Sequence, residues 1–133
     1  TDGMNFGNNS KAALMTRGIH EISRLGETMG AKSETFAGLS GIGDLMVTCS
    51  SDLSRNRRCG LLIGGGMTPE EAVAEIKTTV EGFYTVEAAS KLAKKLKVDM
   101  PITNAIKSVI DGKLNPRDAV EMLMNRDRKQ ENK

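Results

Sequence analysis

Three arginines fall within four positions in the stretch SRNRRCG, residues 54–60, behind a serine and around an asparagine. Ser54 is a good helix N-cap, which puts Arg55 and Asn56 on the first helical turn. A helix start offers free backbone N–H groups and a partial positive charge. With a forked guanidinium and a side-chain amide added, these residues can hold one phosphate or a similar anion. Arginines at the positive end of a helix are unfavourable unless an anion or a carboxylate relieves them. Local conflicts of this kind often mark function. Two other readings of the cluster stay open: a solvated basic face, and a contact to nucleic acid.

A second group lies just upstream in GLSGIGDLMVTC, residues 38–49. Asp44 sits in the most apolar loop of the chain, where a carboxylate must be hydrogen-bonded or poised for a substrate. A plain turn or helix cap explains it equally well. Thr48 follows at i+4, so on a helix both residues share a face. The glycines 38, 41 and 43 are spaced GxxGxG, which is not the dinucleotide fingerprint. They either allow turns and close packing or let a ligand approach the backbone beside Asp44.

Metal chemistry is a poor fit. The only thiols are Cys49 and Cys59, ten positions apart, and the only histidine is His20. A zinc site needs about four ligands at short spacing. His20 reads as a packed or surface residue. Two free thiols without a secretory signal point to a reducing, cytoplasmic setting.

The bulk numbers narrow the partners. The 133 residues suit one domain spanning 1–133. Nineteen basic and 17 acidic side chains leave a net charge of +2, too balanced for a chain that lives on nucleic acid. No apolar run approaches the ~18–20 residues of a membrane span. Aromatics are 3% of the chain, so the core must come from aliphatic residues and eight methionines.

Helical periodicity supplies the frame for these groups. After a Gly/Asn-rich loop over 1–9, Asn9 or Ser10 can cap a helix. Met15, Ile19, Ile22, Leu25 and Met29 form its apolar face, and Gly30 stops it. Ser33 to Phe36 reads as one turn, and Gly38 to Cys49 as holding a short buried helix. The helix begun at Ser54 ends at Gly64-Gly65-Gly66. Thr68, Pro69 and Glu71 form a capping box before the next helix. KTTVEG, with three β-branched residues and a glycine, reads as an extended link. Helix resumes from about Tyr84 to Leu96, with Val86, Ala89, Leu92, Ala93 and Leu96 on one face. Pro101 opens another helix with Ile102, Ile106, Val109 and Ile110 inward and Gly112 as its stop. Asn115-Pro116 starts the last, with Asp118 at its positive end and Ala119, Val120, Leu123 and Met124 inward. The polar tail NRDRKQENK is expected to fray. The sum is an all-α domain of six to eight helices, its last two packed antiparallel.

Taken together, FGNNSKAALMTRG, GLSGIGDLMVTC, LSRNRRCG and TVEGFYT closely resemble the C-terminal substrate domain of bacterial NAD(P)-dependent glycerol-3-phosphate dehydrogenases. The resemblance runs from Asp2 to Arg128 in unbroken order. It implies a compact multi-helix fold like the helical C-terminal domain of 6-phosphogluconate and glycerol-3-phosphate dehydrogenases. It implies interconversion of dihydroxyacetone phosphate and sn-glycerol 3-phosphate with NAD or NADP. It assigns Asp44, Thr48, Ser54, Arg55 and Asn56 to the substrate, and Arg55, Thr79 and Glu81 to the cofactor. At 79 this chain has Thr where relatives often carry an aliphatic residue, which a backbone contact tolerates.

The resemblance also implies a Rossmann dinucleotide-binding domain and a proton-transferring lysine upstream of residue 1; Lys11 is not that lysine. The 133 residues alone are therefore expected to be inactive. The role of Asn9 and Lys11 stays open, and Arg57 and Arg58 read as support or surface. A homodimer fits the resemblance, and neither nucleic acid nor membrane is expected as a partner. The alternatives are a substrate domain of a related hydroxyacid or sugar-phosphate dehydrogenase, and a non-enzymatic anion-binding module.

Overall fold

A computed structural model describes residues 1–32, 34, 41 and 43–131, with side chains described through 126. Among the described residues the chain is a short 3-10 turn, Asp2–Met4, followed by seven α-helices and no strand. We number them α1 (Asn8–Thr28), α2 (Asp44–Ser50), α3 (Arg55–Gly64), α4 (Pro69–Ile76), α5 (Glu81–Leu96), α6 (Pro101–Ile110) and α7 (Pro116–Glu131). The all-α expectation stands.

Three of the seven helix starts follow local side-chain chemistry. Ser54 Oγ accepts the Arg57 backbone N–H at 3.2 Å, which caps α3. Thr68 and Glu71 exchange their side-chain bonds at 3.2 and 3.1 Å, completing the capping box of α4 with Pro69 in the first turn. Asn115 Oδ1 accepts the Asp118 N–H at 2.9 Å and opens α7. Gly30 and Gly112 take the positive φ values expected of stop residues, 97° and 76°.

Six expectations need correction. The N-cap of α1 is Gly7, not Asn9 or Ser10, and no side chain caps it. The apolar face of α1 is fully buried only at Ile19; Met15 and Leu25 are half-buried, and Ile22 and Met29 are exposed. The stretch before Cys49 is helical as expected, but α2 is not buried: Met46 and Val47 are 54% and 69% exposed. Helix α5 starts at Glu81, three residues before Tyr84, with Val80 as its extended N-cap. In α6 the buried residue is Ala105, while Ile106 is 43% exposed. The polar tail continues α7 to Glu131. The turn expected at 33–36 and Gly38 lie almost wholly outside the described residues.

Two apolar clusters make the core. Cys59, Ala72, Ile76 and Val80 join α3, α4 and the entry to α5, with Leu62, Ile63 and Phe83 packed on them. Ala105, Ala119 and Leu123 join α6 and α7, with Leu14 of α1 against them. Between the clusters runs a largely apolar cavity of about 550 Å³, bordered by Cys59 and Val80 on one side and Ala105, Ala119 and Leu123 on the other.

Polar clasps tie distant segments across this core. Glu21 is 4% exposed and accepts the Ile102 and Thr103 N–H groups, the latter at 3.3 Å. An α1 side chain thus caps α6. Arg17 donates to the Leu123 carbonyl at 2.7 Å, and Arg126 pairs with Asp99.

The 3-10 turn lies directly on α3. A Cβ built at Gly3 would stand 2.4 Å from the Leu61 carbonyl oxygen. That neighbour is backbone and cannot swing aside. Gly3→Ala is therefore expected to destabilise the fold by about 2 kcal/mol, measured by chemical denaturation. Stability equal to the natural chain would show that the turn slides on α3 rather than docking to it.

Candidate functional site

The site is built where two helix N-termini meet. Helix α3 begins at Arg55 and α5 at Glu81, and the side chains of α3 bridge them. Asn56 Oδ1 accepts the Gly82 N–H at 2.9 Å, one of the donors that α5 cannot satisfy internally. Arg55 Nη1 donates to the Thr79 carbonyl at 3.4 Å. The fit is close, since a Cβ at Gly82 would lie 2.8 Å from Asn56 Oδ1. The structure therefore brings Arg55, Asn56 and Thr79 together, with Glu81 next along the first turn of α5. The contact to Thr79 is made through its backbone, so it does not depend on the side chain at 79.

Asp44 and Thr48 stand on α2, one turn apart, and both are exposed. Thr48 and Asn56 both line the cavity, whereas Asp44 does not. The Ser54 hydroxyl is engaged as the N-cap acceptor, and its own O–H remains able to donate.

The three arginines divide by environment. Arg57 is a hub: Nε donates to the Cys49 carbonyl at 2.8 Å, Nη1 to Asp52 at 2.8 Å and Nη2 to Asp2 at 3.0 Å. Asp2 also receives Lys11 Nζ at 2.8 Å. The Lys11 hydrogen bond, followed by that of Arg57, holds the Asp2 carboxyl below its usual range. Carboxylates thus answer the cationic conflict at Arg57, and Lys11 gains a role at the base of the site. Arg55 and Arg58 are exposed, and Arg55 forms no ion pair among the described residues. Of these two outward cations, Arg55 is the one that lies beside the positive ends of two helices, at the start of α3 and against Thr79 before α5.

Burial pushes the Cys59 thiol up, and burial first does the same to Cys49. Neither is poised as a nucleophile. His20 is exposed on α1. Among the described residues no three His, Cys, Asp or Glu side chains are grouped to hold a metal ion. None of the described helices is long and apolar enough to cross a membrane.

Comparison with known proteins meets this geometry from outside. Residues 1–121 match the family model for the NAD-dependent glycerol-3-phosphate dehydrogenase C-terminus. The chain belongs to that family. It is 53% identical over 130 residues to glycerol-3-phosphate dehydrogenase [NAD(P)+] of Oleidesulfovibrio alaskensis, covering 98% of this chain and 39% of that protein. It is 57% identical over 125 residues to the enzyme of the same name from Pelotomaculum thermopropionicum, covering 94% and 36%. The 2.1 Å crystal structure of glycerol-3-phosphate dehydrogenase (gpsA) from Coxiella burnetii superposes with a TM-score of 0.89 at 41% identity, over 92% of this chain and 38% of that one. The chain therefore spans well under half the length of these relatives.

Within this member of the glycerol-3-phosphate dehydrogenase C-terminus family, pattern reading missed two groups. One is the Asp2–Lys11–Arg57–Asp52 network, which joins residues up to 55 positions apart. The other is Gly82, whose missing side chain makes room for Asn56. A signal for the first was present in the unrelieved arginines at a helix start, with Asp52 close by in sequence, but nothing local named Asp2.

Proposed function

We propose that this chain supplies the substrate-facing helices of an enzyme that interconverts dihydroxyacetone phosphate and sn-glycerol 3-phosphate. The observation that carries this is the outward guanidinium of Arg55, set with Asn56 between the N-termini of α3 and α5. A forked cation, an amide and two positive helix ends suit a phosphate dianion. The names of the relatives supply the substrate class.

On this reading Arg55, Asn56 and Ser54 hold the phosphate and so fix where the rest of the substrate lies. Asp44 and Thr48, one turn apart on α2, orient the hydroxyl end by hydrogen bonds. Arg55, the Thr79 carbonyl and Glu81 form the edge nearest NAD or NADP. The exposure of Arg55 beside the positive start of α5 fits an anionic dinucleotide there. That cofactor, when bound, supplies the hydride for the ketone. Proton transfer belongs to a lysine that is none of the residues named here. The partner implied is a Rossmann domain of the same polypeptide, and a homodimer is compatible with the reading. The setting is the cytoplasm, where sn-glycerol 3-phosphate serves phospholipid synthesis.

The test is an assay of the full gene product with dihydroxyacetone phosphate and NADH or NADPH, beside titration of the 133-residue chain with glycerol 3-phosphate. Turnover is expected from the former and none from the latter, whose Ser54, Arg55 and Asn56 amides should shift by NMR. Turnover of a different phosphorylated or carboxylated hydroxy compound, with no action on dihydroxyacetone phosphate, would overturn the assignment.

A further inference from the structure

The side chain of Arg57 is hydrogen-bonded to none of the groups proposed to hold substrate, yet its partners lie on or beside the elements that carry them. Its backbone N–H is bonded to Ser54 Oγ, and its Nε to the carbonyl of Cys49, the residue after Thr48. Its two terminal nitrogens reach Asp52, in the turn between α2 and α3, and Asp2, in the 3-10 turn. Asp2 is fixed in turn to α1 by Lys11. One planar fork thus joins α2, α3, the turn between them and the N-terminal segment.

We propose that Arg57 is a positioning residue, whose clamp on Cys49, Asp52 and Asp2 sets Thr48 on α2 relative to Arg55 and Asn56 on α3. The inference rests on the phosphate-binding reading of Arg55 and Asn56. The side chain of Arg57 is 19% exposed and that of Asp2 26%, so both charges are largely shielded from water. Their attraction is weakened less by solvent than that of a surface pair. Asp52, at 93% exposure, adds little energy but defines direction. A lysine cannot replace this fork, because a single ammonium does not span three acceptors in a plane. Neighbouring Arg58 is exposed and takes no part.

The experiment is a double-mutant cycle in the full gene product, following glycerol 3-phosphate oxidation. Arg57→Lys is expected to raise KM for glycerol 3-phosphate about tenfold with kcat nearly unchanged, the signature of a displaced binding group. Arg58→Ala should move neither. In an Arg55→Ala background the same Arg57→Lys change should add less than about twofold, because it acts through Arg55. A full tenfold effect in that background, or a fall in kcat with KM unchanged, would overturn the positioning role. If Arg55→Ala alone leaves KM unaltered, the phosphate reading itself falls, and the inference with it. Should Arg57→Lys not fold, Asp52→Asn carries the same test. It takes the charge from one exposed arm of the fork and should raise KM about twofold, an effect also lost in the Arg55→Ala background.

Discussion

Replacing Arg55 with alanine is expected to lower kcat/KM for glycerol 3-phosphate about a hundredfold in the full gene product, roughly 2.7 kcal/mol of binding. The fold should hardly notice. Arg55 is exposed, and its one bond among the described residues is a 3.4 Å contact to the Thr79 carbonyl. That bond is long and solvent-facing, so it contributes little to stability. A phosphate seated between α3 and α5, by contrast, would lose the only outward guanidinium offered by the SRN motif. Arg55→Lys should recover part of the loss, since it restores charge without the fork. Steady-state kinetics beside thermal unfolding separates the two effects. A change of less than about threefold in kcat/KM would mean that the phosphate is held elsewhere.

Glu21→Ala is expected to act on the fold instead, destabilising it by about 3 kcal/mol. Helix α6 opens at Pro101, and its N-cap Met100 offers no side-chain acceptor. The next two N–H groups, of Ile102 and Thr103, are met by the carboxylate of Glu21 from α1. That carboxylate is nearly excluded from water and faces the positive end of the helix, where a negative charge is most favourable. Alanine leaves two shielded donors without their acceptor. Glutamine keeps one good acceptor and should cost about half as much. Denaturant titration with an unchanged m-value would report this as a pure loss of stability. If Glu21→Ala unfolds at the same denaturant concentration as the natural protein, the cap is incidental.

The contrast between helix starts explains what was legible. Ser54, Thr68 and Asn115 cap their own helices from one to three residues away, and each was readable from its neighbours. Helices α5 and α6 are started from afar: Asn56 serves Gly82 across 26 residues, and Glu21 serves Ile102 across 81. No local pattern carries such a partner, so periodicity starts α5 three residues late and nothing in the sequence singles out Glu21. Burial failed for a related reason. Leu45, Met46 and Val47 look like core, but a seven-residue helix does not reveal which of its sides meets another element. The grouping of Ser54, Arg55 and Asn56 was legible because it is contiguous. The meeting of Arg55 with Thr79 came from family resemblance, since nothing in the spacing of residues 55 and 79 implies contact. The fork of Arg57 was not legible, because two of its partners are a backbone carbonyl and a residue at the far end of the chain.

The cavity between the two apolar clusters also sets how the chain meets water. About 550 Å³ beside Cys59, Val80, Ala105 and Leu123 is open and not occupied by the chain's own atoms. Its walls are largely apolar, so water standing there gains few hydrogen bonds from the protein. Apolar atoms that enter displace this water to bulk, and the heat capacity of the system falls as they do.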